Sequence, residues 1–566
     1  MIRTFCLIAL FPYMITTGLP QERVLPPSKK MVAPADTSRV EAKTGNKKEP
    51  DLELPDVLIL GQDRAIRVSE EKRDLSPVSP SLLRPGSTAE PVSVWFSRQE
   101  TKPALQGELS RIDRLTWAAV GGGGYTSFNL EGGHWRRLEL GNYRIQGRFE
   151  SSRGQFDNSQ FQEGGLSGLL SYELAPRVTG NLSASMDLYG RGLHGARYAE
   201  KTTRSARRGN LGADLRYDIN GLSDSELGFE LGGTSVRSDT SSRRIDSSDD
   251  FWYRLYFGYT ARLAKLQIKT TGSYKRDSLK PFHDSTSSKS AFGEIALETR
   301  TALSKGVSAL VGLAYQSAGM DSAENAARFS PYGRLNLMPG NSLGLVVSFS
   351  TGYEFRTYSD YWLENPYLAH REISLIPNES RFALQGDFGL QLSQKMRLKI
   401  GFGRKWMEKL AYWESDANTG FFAVRTLEQP VLTQMEVGFD AELSERTRMS
   451  ASFITYADRV DIQGGRTNVD QIPYRPDFRL PIRASIELLS GMTLALQADI
   501  TGKRLTQLVD QSRLPAFGLL DATLSKDFGT ISAVLMARNI LDSDYVIWER
   551  YREMGVHILL GLRAKW

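Results

Sequence analysis

The sequence predicts an all-β chain: a transmembrane antiparallel β-barrel of about 22 strands (20–22), preceded by a largely disordered N-terminal tether. Three observations predict it. From about residue 112 to the C-terminus, apolar and polar residues alternate with period two. The alternating segments run about 10–14 residues, near the roughly 9–11 that a tilted strand needs to cross a bilayer. Short breaks alternate with long polar loops, as periplasmic turns alternate with extracellular loops in such barrels.

In chain order, Met1-Ile2-Arg3 leads into "TFCLIALFPYMITTG". A basic start and a short apolar run read as a secretory signal over residues 1–20. Cys6 lies inside the apolar run rather than after it, which argues against a lipid anchor. Residues 21–111 read as a periplasmic tether. Prolines crowd this region, from Pro26 and Pro27 to Pro91 and Pro103, among charged stretches such as "NKKEP" and "SEEKRD". One apolar island interrupts it at residues 52–61. There Pro55, Asp56, Val57, Leu58, Ile59, Leu60 and Gly61 form a strand-sized run with no sheet of its own. Such a run invites strand addition to another edge; packing on its own barrel is the competing reading.

From residue 112 the pattern is regular. Tyr143, Ile145 and Phe149 alternate with Arg144, Gln146 and Arg148. Met396, Leu398, Ile400 and Phe402 alternate with Arg397 and Lys399. Met435, Val437, Phe439 and Ala441 oppose Glu436, Asp440 and Glu442, and the last strand sets Ile558, Leu560, Leu562, Ala564 and Trp566 against Arg563 and Lys565. A soluble sandwich also alternates, but its strands usually run ~5–6 residues and its apolar faces meet in a dry core. Charges on nearly every polar face favour the inverse arrangement, with apolar side chains toward lipid and polar ones toward a wet lumen. Ten short breaks are expected near 133–136, 175–178, 219–223, 262–264, 303–306, 339–341, 393–395, 444–446, 489–491 and 527–529. They imply 22 strands. Gly121–Gly124 reads as a hairpin turn between the first two strands, because no Lys-Ser/Thr and no helix follow it as in a phosphate loop.

Composition narrows function. Cys6 is the one cysteine, so no disulfide and no thiolate metal cluster forms within the chain. The 5 histidines are scattered without ligand spacing, and 71 basic and 65 acidic residues intermix. Nucleic-acid binders gather their charge on one face or tail, so no nucleic-acid role is expected. No enzyme activity and no cofactor is expected either, because no His stands near a Ser or acid in more than an ordinary polar loop. The stretch "FRTYSDYWLENPYLAHREISLIPNES" is an aromatic loop feeding a strand. Its Tyr358, Tyr361, Trp362, Tyr367 and His370 are candidates for contacting a ligand; a self-packed loop or an interfacial girdle is the competing reading. Luminal Arg144, Arg148, Arg254, Lys269, Arg397 and Lys399 could favour anions, or pair with acids such as Glu487 and Asp499 along a wet wall.

Four stretches resemble the barrel of the TonB-dependent receptor family. They are "FRTYSDYWLENPYLAHREISLIPNESRFALQGDFGL", "PYRPDFRLPIRASIELLSGMTLALQADITGKR", the closing strands with Asn539-Ile540-Leu541-Asp542 and Tyr545, and the C-terminal Trp566. The resemblance implies a receptor-like barrel in the cell outer membrane that moves or binds a small ligand. It also implies partners: outer-membrane lipid, a barrel-assembly machinery that reads Trp566, and a TonB-like or other periplasmic protein meeting Pro55–Gly61. Against the family pattern, residues 62–111 do not read as the usual N-terminal plug. Two other roles stay open: a barrel anchor docking a periplasmic partner through residues 52–61, and an open diffusion porin.

Overall fold

The computed structural model describes residues 114–566, apart from 199, 264, 282–287, 321–322, 339–341, 374–376, 462–467, 490 and 510. The expected signal peptide, the tether and the island Pro55–Gly61 lie outside the described residues.

The described residues form one large sheet of 24 strands. Two of them, Leu368–Ile373 and Phe422–Glu428, pair with each other in parallel, and the second also pairs antiparallel with the far end, Lys409–Ser415, of the wall strand Met396–Ser415. The other 22 follow one another antiparallel around a ring. It closes where Trp117–Gly123 of the first strand pairs with Leu559–Lys565 of the last. Thr116 and Trp566 finish the seam with reciprocal backbone hydrogen bonds of 2.8 and 2.9 Å. Closure leaves no edge strand, which in hydrocarbon would strand unpaired backbone groups at several kcal/mol each.

The predicted alternation becomes inside and outside. Leu166, Val311, Phe329 and Leu560, about 60% exposed or more, lie on the outer face, where acyl chains cover them. Facing inward, many charges are matched between strands. Arg254 lies 3.6 Å from Glu230 and Arg479 3.0 Å from Asp499 on neighbouring strands, where Lys399 also pairs with Asp440, and Arg148 reaches Asp187 at 3.5 Å across the strand between them, over Gly165. The wall is thus a lattice of paired charges.

Two expectations are corrected at the first hairpins. The break expected near 133–136 is strand: Ser127–Leu138 runs through it, and the turn falls after it, before the next strand begins at Gly141. Gly132 and Gly133 look like breakers but lie within the strand, and Gly133 makes room for a ring. Gly133 is in register with Trp117, and a Cβ there would sit 2.6 Å from the indole nitrogen. The hairpin expected at Gly121–Gly124 turns later, at Gly124–Thr126, where Tyr125 and Thr126 take the left-handed region (φ 52°). Gly121 belongs to the seam, opposite Gly561.

Short turns cluster at the end holding Arg114 and Trp566, and long connections at the other end, where described loop residues pack together in one aromatic cluster.

Candidate functional site

The aromatic loop is the centre of this cover. A short helix, Tyr358–Glu364, starts where Thr357 and Asp360 cap each other: the Asp360 N–H donates to Thr357 Oγ1 (3.2 Å), and the Thr357 N–H to Asp360 Oδ2 (2.8 Å). The wall supplies the next contacts. Tyr358 N–H donates to Asp277 Oδ2 (3.1 Å), Ser248 donates to the Tyr358 hydroxyl (2.7 Å), and Thr234 and Ser359 share a 2.9 Å bond. The helix is thereby anchored to three consecutive wall strands, Ser223–Asp239, Arg244–Leu263 and Leu266–Pro281.

Three arginines secure the loop. Arg204 donates through Nη1 to the carbonyls of Pro366 (2.7 Å) and Leu368 (2.9 Å), and through Nε to Ser238 (2.8 Å), while lying 4.7 Å from the Phe421 ring centroid. Arg191 reaches the Tyr367 hydroxyl at 3.2 Å and Glu163 at 3.3 Å. Arg356 pairs with Glu364 and lies over the Tyr361 ring; Glu364 also accepts from the Trp413 indole at 2.9 Å.

Around these ties grows an aromatic core. Tyr367 stacks on Tyr551 with centroids 3.5 Å apart, and Trp413 meets both Tyr361 and Trp548 edge-on. Leu193, Trp362, Phe421, Phe422 and Tyr474 complete it. Such ring pairs each add about 0.5–1.5 kcal/mol beyond their buried area. Burial pushes the phenols of Tyr358, Tyr361 and Tyr367 above the usual tyrosine range.

A second cluster packs beside it: Met407, Leu410, Tyr412, Leu427, Leu432, Val460, Val469, Ile472, Leu505 and Leu508. Next to it Arg475 and Asp458, both nearly inaccessible, form a 2.9 Å ion pair.

The structure therefore brings Tyr358, Tyr361, Trp362 and Tyr367 together, each 4% exposed or less. His370 follows on the strand Leu368–Ile373. Trp566 ends the chain at the seam, 59% exposed. Sequence reading missed the arginine ties. Arg204 stands in "TTRSARRG", where three arginines in five positions looked equivalent; only one of them meets the loop. Among the described residues no group of three or more His, Cys, Asp or Glu side chains could hold a metal ion.

The geometry defines a class: a 22-strand membrane barrel whose outer mouth is covered by its own aromatic loops. No protein-family model and no curated protein matches the chain by sequence. Solved structures match by fold. The FrpB iron transporter from Neisseria meningitidis superposes with a TM-score of 0.68 at 10% identity, covering 81% of this chain and 84% of that one. The siderophore receptor PiuA from Acinetobacter baumannii gives 0.62 at 11% identity, covering 81% and 82%. The copper transporter OprC gives 0.63 at 13% identity, covering 80% of each chain. The likeness to the TonB-dependent receptor barrel first read from four stretches of sequence thus holds for the fold.

Proposed function

We propose that the chain is an outer-membrane transport barrel of the receptor type, in which the loop cover gates passage of a small ligand. One observation carries this reading: the loops at one end of a wide barrel pack a buried aromatic core against each other and the wall. Barrels of 22 strands enclose a lumen that would leak if unobstructed. The structural neighbours, an iron transporter, a siderophore receptor and a copper transporter, support a small ligand. In this reading Tyr358, Tyr361, Trp362, Tyr367 and His370 meet the ligand when the cover opens. Trp566 serves barrel assembly, and residues 55–61 engage a TonB-like periplasmic protein.

Conductance in a planar bilayer tests the gate. The purified full chain is expected to be silent, and an Arg204→Ala variant is expected to show transient openings. Large steady currents from the unmodified chain would make it a diffusion porin and overturn the gated reading. Deleting residues 21–61 separates the tether's roles. Loss of ligand uptake with the barrel intact supports energy coupling, whereas loss of a co-purifying partner with unchanged uptake supports an anchor.

A further inference from the structure

On the outer wall, five adjacent strands carry an arrangement that transport does not use. These strands are Thr203–Asp218, Ser223–Asp239, Arg244–Leu263, Leu266–Pro281 and Ser288–Ser304. Register fixes which way their residues face. Leu188, Arg207, Ser235, Asp249 and Lys280 lie on one rung, and Met186, Gly209, Gly233, Phe251, Ser278 and Lys289 on the next. Leu188, Met186 and Phe251 are exposed apolar residues of the lipid-facing side, so Arg207, Lys280 and Lys289 share that side. Arg276 shares it as well, in register with Tyr253, as does Arg237, two residues beyond Ser235. Arg207, Arg237, Arg276 and Lys280 are exposed and Lys289 is half-buried.

Their height matters. A strand rising ~3.3 Å per residue at a tilt of about 40° crosses the ~25 Å apolar band in about ten residues. Arg276 lies ten residues from Leu266 at the short-turn end of its strand, and Lys280 fourteen. Arg207 lies eleven from Asp218, Arg237 fourteen from Ser223, and Lys289 fifteen from Ser304. All five therefore emerge at headgroup level on the long-loop side. The next two strands show what an ordinary rim looks like. At the same level on the same face they present Ser317 and Gly319, then Ala327, all uncharged.

We propose that this cluster binds the phosphate groups of a lipid headgroup in the outer leaflet. Lys289 sits diagonally between Arg276 and Lys280, because its rung partner Ser278 lies midway between them. Diagonal neighbours on one face are about 7–8 Å apart, a spacing from which three long cationic side chains converge on one phosphate. Arg207 and Arg237 form a second diagonal pair. Three strand spacings away, roughly 14 Å, it stands where a second phosphate of the same headgroup would fall. Asp249, opposite Lys280, is the acid between the two groups; Asp239 lies 3.6 Å from Arg244. Five cations against one intervening acid make an anion site, and the acyl chains of the same lipid would lie along Met186, Phe251 and Leu255 below it.

The test uses the full chain in neutral detergent and synthetic bisphosphorylated lipid A as the probe, read by native mass spectrometry. The lipid is expected to stay bound through purification, and its dephosphorylated form to bind at least about tenfold more weakly. The variant R207Q/R276Q/K280Q should lose at least about tenfold in affinity, whereas the luminal variant R397Q/K399Q should lose none. Heat-modifiable mobility confirms that each variant is a folded barrel; should the triple variant not fold, R237Q/K289Q gives the smaller loss. Undiminished binding in a folded cluster variant, or equal loss in the luminal one, overturns the proposal. Displacement of the lipid by inorganic phosphate at equal phosphate concentration would make the cluster a site for free phosphate and overturn the lipid assignment. None of these outcomes depends on whether the barrel transports anything.

Discussion

Arg204 is 4% exposed and directs Nε and Nη1 to Ser238 and to two loop carbonyls. Hydrogen bonds to charged groups contribute about 1.5–3 kcal/mol each, and a vacated buried carbonyl keeps its desolvation cost. Arg204→Ala is therefore expected to destabilise the cover by about 3 kcal/mol while sparing the wall. Amide exchange of residues 358–368 should quicken on the order of a hundredfold with strand amides unchanged; parallel loss in both would show that cover and wall unfold as one. His194, in the loop just before, sits against Phe156 and Tyr551. Burial, with Arg191 adding to it, pulls its pKa below the ordinary histidine value. A base with a lowered folded pKa takes up its proton on opening. Its contribution is thus present above the unfolded pKa of about 6.5 and fades as pH falls below that. Glu553 moves the opposite way, since burial raises its carboxyl. The His194→Phe difference isolates the histidine: wild-type protection of residues 358–368 should weaken between about pH 6.5 and 5 more than that of the variant. Equal slopes would remove His194 from the balance.

Among elements, the helix Tyr358–Glu364 is too short to stand by itself, since isolated helices under ~12 residues are marginal in water. Its capping box and its wall contacts define it. Thr357→Ala should cost about 1 kcal/mol, read as faster exchange of the Asp360 amide, with Thr357→Ser restoring it. The strands obey a different rule. On Val307–Met320, Leu313 faces lipid, whereas on Met492–Thr501, Ala495 faces the lumen in register with Ser485 and Thr523. Leu313→Arg is expected to cost about 2–4 kcal/mol in urea unfolding from lipid vesicles, and Ala495→Arg far less. Similar costs for both would contradict the assignment of faces. The same contrast explains what was readable. Alternation survives in every strand because lipid and water demand opposite side chains every second residue. Loop structure leaves no such period, so Tyr358 to Tyr367 could be noticed as aromatic but not placed.

At the scale of the molecule, closure is the decisive property. It rests on pairing between residues more than 400 positions apart, such as Ala118 with Ala564. A hydrogen-bonded antiparallel pair holds its Cα atoms about 5.5 Å apart, within disulfide reach. Ala118→Cys with Ala564→Cys should oxidise to an intramolecular bridge while the chain keeps its folded mobility; failure to bridge in a folded barrel would mean an open seam.

What the amino-acid sequence determined by itself was the wall: 22 strands, their two faces and eight of the nine expected short turns that fall among the described residues, because each is a local response to a two-solvent environment; the break expected near 339–341 lies outside them. The exception, near 133–136, failed for a non-local reason, since Gly133 answers to Trp117 across the strand pair. Tertiary structure decided the rest. Which arginine of 204, 207 and 208 holds the loop, that the aromatic residues pack against one another, and that five cations from four strands meet on one outer patch all depend on register and distance between remote segments. No periodicity along a chain encodes these, because a charge in a strand looks the same whether its partner is across the sheet, in a loop or in a lipid headgroup.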